Sequence, residues 1–175
     1  MRFLFSFLFL MFCLVSNVHS QQHDSLFMAS AVTKLKNSKE YTLQVADLMP
    51  AQQYGFRPTK DEMSFGEQLI HISANLGWLT SSYLSEGVNP VSKEDSKISQ
   101  KDSIRSVIVR TYDYAISVLQ QFPIEQLGDS VKFFAGPMSK LQIINLVSDH
   151  QTHHRGQLLV YLRLSGLTPP KYIGW

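Results

Sequence analysis

Seven prolines, at positions 50, 58, 90, 123, 137, 169 and 170, fall between long stretches in which apolar residues recur at three- and four-residue spacing. Proline ends helices and that spacing builds them, so the pattern predicts several long amphipathic helices and few strands. The first helix is expected from about Ser25, with Asp24 as its cap, to Met49 before Pro50. Ser64-Phe65-Gly66-Glu67 matches a capping box and opens a second helix, whose stripe of Leu69, Ile72, Leu76, Leu79 and Tyr83 runs to about Ser85. Asp102 is the expected cap of a third, carrying Ile104, Ile108, Tyr112, Ala115 and Leu119 and ended by Pro123. Ser139-Lys140-Leu141-Gln142 is another capping box, opening a fourth helix that runs to about Ser165 and stops at Gly166. Val131 to Ala135 reads as a strand-like or irregular lid between helices three and four. Four such helices predict an all-α four-helix bundle.

Charge narrows the function classes. With 16 Lys and Arg against 14 Asp and Glu, the chain lacks the basic surplus of a phosphate-backbone binder, so nucleic acid is not an expected partner. At 44% apolar and 17% charged it is no disordered or collagen-like chain either.

Residues 1–20 have the layout of a secretory signal peptide: Arg2, an apolar run from Phe3 to Val15, then a polar stretch closing on Val18-His19-Ser20. The run is 13 residues, short of the ~20 that a membrane-spanning anchor needs. Cleavage after Ser20 would leave residues 21–175 as a single exported domain, periplasmic or secreted. The only cysteine, Cys13, would leave with the signal, and with it any thiol nucleophile, thiolate ligand or disulfide.

Three of the six histidines sit within five residues of the fourth helix, in Asp149-His150-Gln151-Thr152-His153-His154-Arg155-Gly156-Gln157. At about 100° per residue, His150 and His154 lie about 40° apart and face the same way as Ile143, Val147, Leu158 and Tyr161. An i, i+4 pair can hold one metal ion; without one, four ring nitrogens need other partners, and the spacing leaves both readings open. His153 falls at the edge of the stripe and reads as a partly exposed neighbour rather than a ligand. His71, on the second helix, is the natural third ligand because bundle metal sites draw on facing helices. It lies on a mixed face with Glu67, Asn75, Trp78 and Ser82, which suits a pocket wall or a half-exposed surface equally. Glu67 has a capping role already and ranks below His71.

With Tyr54-Gly55-Phe56-Arg57-Pro58, Ser64 to Ile72, His150 to Leu158 and the Gly166-Leu167-Thr168-Pro169-Pro170 exit in view, the chain resembles the DinB-like superfamily of metal-binding four-helix bundles, which includes YfiT-type metal-dependent hydrolases. The resemblance covers most of the chain after residue 20. It implies His71, His150 and His154 as a three-histidine site for a divalent ion, zinc or nickel, with a position left open for water or substrate. Asn75, Gln157 and His153 would orient the ligands, and Arg155 is expected to pair with a surface carboxylate. The implied activity is metal-dependent hydrolysis or thiol transfer on a small molecule, with no general base identified beyond Glu67. The opposing reading is a non-catalytic bundle that binds a metal or a small ligand, with Trp78, Tyr83, Phe133 and Phe134 lining an apolar pocket. Members are frequently dimers, which adds a homodimer to the expectations.

Overall fold

In the computed structural model the backbone is described from residue 2 and side chains from residue 22, so the signal-peptide reading of residues 1–20 lies outside the fully described residues. Four helices make up the body: α1 (Arg2–Leu48), α2 (Phe65–Leu79), α3 (Lys101–Gln121) and α4 (Lys140–Leu164). A two-stranded antiparallel hairpin, β1 (Ser130–Phe133) and β2 (Gly136–Ser139), precedes α4 in register Ser130 to Ser139 and Phe133 to Gly136. Among the described residues, no helix is long and apolar enough to cross a membrane.

Both capping boxes form. Ser64 Oγ accepts from the Glu67 backbone N–H at 3.3 Å while Glu67 Oε2 accepts from that of Ser64 at 2.7 Å. Ser139 and Gln142 repeat the exchange at 3.2 and 2.7 Å, fixing where α4 begins. At its other end Gly166 takes φ +76°, and Leu167 and Gly166 return N–H bonds to the carbonyls of Leu162 and Arg163, a Schellman closure. The second helix ends earlier than its stripe implies, at Leu79, and continues as a π-helical turn over Thr80–Leu84.

Two expected caps do not form. Asp24 lies inside α1, because no glycine or proline interrupts the sequence before Pro50 and an uninterrupted helix leaves no free N-terminus there to cap. Asp102 lies in the first turn of α3, after Gln100 at the cap position, where its carboxylate faces the positive end of the helix dipole instead of bonding a backbone N–H. The Val131–Ala135 segment is the hairpin, with Phe134 and Ala135 at its turn.

The packing order around the bundle is α1, α3, α2, α4, each helix lying against the next and α4 closing on α1. The stripes meet in one core that includes Val45 and Met49 of α1, Leu69 and Ile72 of α2, Ile108 and Tyr112 of α3, and Ile143 and Leu158 of α4, all fully enclosed. Helix α4 therefore has two neighbours: it turns His150 and His154 to α2 and Arg155 to α1.

Candidate metal centre

The 3.6-residue period puts His150 and His154 one turn apart on α4, and α2 lays His71 against both. Ring centroids are 4.4 Å apart for His150 and His154, 4.4 Å for His71 and His154, and 5.0 Å for His71 and His150. One ring nitrogen from each lies within 4.8 Å of the other two. Among the described residues this is the one place where three His, Cys, Asp or Glu side chains converge so closely. His71 Nε2 and His150 Nε2 are 3.1 Å apart.

Burial sets the charge state of this group. His150 and His154 are each held down to about 4, first by desolvation and then by the neighbouring imidazoles, and His71 is lowered by burial as well. All three rings are therefore neutral at neutral pH, the state in which an imidazole can donate a lone pair to a metal. Two nitrogens bound tetrahedrally at the usual zinc distance stand about 3.3 Å apart, close to the spacing of His71 and His150. The residues present fit a divalent ion. His150 Nδ1 is a buried nitrogen with no hydrogen-bond partner, a defect that costs about 1–3 kcal/mol and calls for a functional explanation.

The residues expected to orient the ligands divide. Gln157 and His153 join the centre, but through Gln68, which the sequence reading missed. His154 Nδ1 donates to Gln68 Oε1 at 2.7 Å, Gln68 Nε2 donates to Gln157 Oε1 at 2.5 Å, and Gln157 Nε2 donates to His153 Nε2 at 3.0 Å. Gln68 is fully buried, His153 exposed. The available signal was a polar residue inside an apolar stripe: Gln68 stands three residues after Phe65 and four before Ile72. Asn75 is half-buried on α2, and no described hydrogen bond ties it to the histidines.

Glu67 is committed elsewhere. Its carboxylate holds the Ser64 N–H and, at 2.8 Å, Arg57 Nη2, and these contacts keep its pKa below the ordinary value. Arg155 does not pair with a surface carboxylate. It is buried, donating from Nη1 to Ser38 Oγ at 2.6 Å and Thr42 Oγ1 at 3.4 Å, with the Tyr41 ring 5.0 Å away, because its side of α4 packs on α1 and not on solvent. Trp78, Tyr83, Phe133 and Phe134 do gather, with Trp78 5.6 Å from Tyr83 and 5.8 Å from Phe133, and Phe133 4.3 Å from Phe134. They form a cluster of edge-on and tilted contacts between the end of α2 and the hairpin, with Phe134 exposed.

A family model for the DinB family matches residues 23–173. The chain belongs to the DinB family. An uncharacterized protein of Bacillus subtilis strain 168, YjoA, is 26% identical over 141 residues, 78% of this DinB chain and 90% of that protein. Two solved structures share the fold: a DinB-like protein from Bacillus cereus, at TM-score 0.70 and 21% identity over 83% of this chain and 95% of that one, and DinB-like YjoA from Bacillus subtilis, at TM-score 0.65 and 20% identity over 82% and 96%. At these identities the likeness to the solved structures speaks to the bundle alone.

Proposed function

We propose that this DinB family protein binds one divalent ion, zinc or nickel, through His71, His150 and His154, and acts as a metal-dependent enzyme on a small molecule. The observation that carries the reading is the convergence of three neutral imidazoles from two helices, with a ring-nitrogen pair 3.1 Å apart. Three protein ligands are the number found in catalytic zinc sites, which keep one position for water or substrate. An ion bound there would activate water for hydrolysis, or favour the thiolate of a low-molecular-weight thiol in a transfer reaction.

The chain's own contribution is orientation of the imidazoles. Packing against α2 holds the α4 histidines in one direction, and Gln68 takes the outward N–H of His154. Hydrolysis is the preferred chemistry because the sequence of residues 1–20 argues for export, and low-molecular-weight thiols are scarce outside the cytoplasm. The second reading is a non-catalytic ligand-binding bundle, to which the exposed Phe134 beside Trp78 and Phe133 would offer an apolar surface.

Metal content of tag-free protein, measured for wild type, His71→Ala and His154→Ala beside the thermal melt of each, tests the proposal. The expected result is about one divalent ion per wild-type chain, lost in both variants with melting little changed. A wild type that neither carries nor takes up zinc or nickel would overturn it. Loss of fold together with the ion would favour a structural metal over an enzyme. The intact mass of the same preparation from an exporting host reads whether residues 1–20 have been removed.

A further inference from the structure

We propose that Gln68 fixes the tautomer of His154, and that Gln157 extends this control to the exposed ring of His153, so that the two neighbouring histidines are locked to one another. Gln68 and Gln157 are positioning residues: they touch the imidazoles from behind and do not face the centre. The consequence for metal binding rests on the reading of His71, His150 and His154 as ligands; the tautomer lock itself rests only on the hydrogen bonds.

A primary amide has one accepting and one donating end, so two amides in series between two rings can be satisfied in only two ways. In the arrangement observed, His154 Nδ1 carries the proton given to Gln68 Oε1, and Gln68 and Gln157 pass the polarity on at 2.5 Å. His153 Nε2 then accepts from Gln157 at 3.0 Å, which puts the His153 proton on Nδ1. His154 Nε2 is left with its lone pair, as the nitrogen available to the cluster. In the reverse arrangement both amides turn over. Gln68 Nε2 donates to His154 Nδ1, the His154 proton moves to Nε2, and His153 donates from its own Nε2. Only the first arrangement leaves His154 a free Nε2 lone pair while Nδ1 is held. Gln68 has no solvent to fall back on, being fully enclosed, so breaking the chain midway leaves a buried amide end unpaired.

The lock makes different predictions for different substitutions. Glu at position 68 can only accept, so Gln68→Glu keeps the proton on His154 Nδ1 but forces Gln157 to turn, presenting its oxygen to His153 and drawing the His153 proton to Nε2. Gln68→Leu removes the lock altogether. The ring tautomers are read by long-range proton–nitrogen NMR on the purified, metal-free protein near neutral pH. The expected result is Nδ1–H for both His154 and His153 in wild type, an unchanged His154 with an inverted His153 in Gln68→Glu, and a mixed His154 population in Gln68→Leu. Zinc affinity, measured by competition with a chromophoric chelator, should fall about 10- to 100-fold in Gln68→Leu. A wild-type His154 protonated at Nε2, or a His153 tautomer indifferent to Gln68→Glu, overturns the proposal. Equal zinc affinity in wild type and Gln68→Leu overturns the consequence for metal binding while leaving the three-histidine reading standing. If wild type takes up no zinc, that reading fails, and the metal-free NMR still decides the lock.

Discussion

Imidazoles brought this close compete for protons as well as for a metal. In the folded state His150 and His154 titrate at about 4 and His71 below its ordinary value, while in the unfolded chain all three return to about 6.5. As pH falls from about 6.5 towards 4, the unfolded chain takes up protons that the folded chain refuses, so unfolding becomes easier; above 6.5 these groups leave stability independent of pH. Urea midpoints of metal-free protein across this range should therefore drop with acid. The drop should be shallower in the double variant His150→Gln, His154→Gln, and equal slopes in the two proteins would refute the argument. The single residues also mark where sequence reasoning stops. The direction of His150 and His154 is legible because period alone sets it. The partners of Gln68 and Arg155 are not, because they come from α4 and α1, and nothing local to Gln68 or Arg155 names the helix that will face it.

At the scale of elements, the legible features are those closed by a few neighbouring residues. Ser64 with Glu67, Ser139 with Gln142, and Gly166 at the exit of α4 each complete their hydrogen bonds within one or two turns, and each forms as its sequence pattern predicts. Asp24 and Asp102 carry the right side chain for a cap but lack a helix end at that position, so the local signal misplaces them. The Ser139 box has a functional consequence, since it sets the start of the helix that carries His150 and His154. Ser139→Ala should lower stability by about 1 kcal/mol in urea unfolding, with Gln142 N–H losing its acceptor. A change within error would mean that the hairpin, and not the cap, positions α4.

At the scale of the whole molecule, the order α1, α3, α2, α4 is what makes a centre possible. It sets α2 beside α4, so that His71, whose own helix leaves it on a mixed face, completes a pair already arranged by α4. The same order sends Arg155 and Gln151 to α1, where Ser38 bonds both and also meets the Tyr112 hydroxyl of α3. One helix thus holds two buried polar groups, one towards α2 and one towards α1, and the bundle closes around both. Helix number and fold class follow from the periodicity, whereas the packing order depends on contacts between segments that no single stretch of sequence contains. The central claim is that three histidines from two helices hold one ion, and X-ray absorption spectroscopy of the zinc-loaded protein tests it most directly. The account predicts three imidazole nitrogens at about 2.0–2.1 Å and at least one further, exchangeable oxygen ligand, with one imidazole fewer in His71→Ala. A spectrum unchanged by His71→Ala, or zinc bound without imidazole scattering, would contradict it.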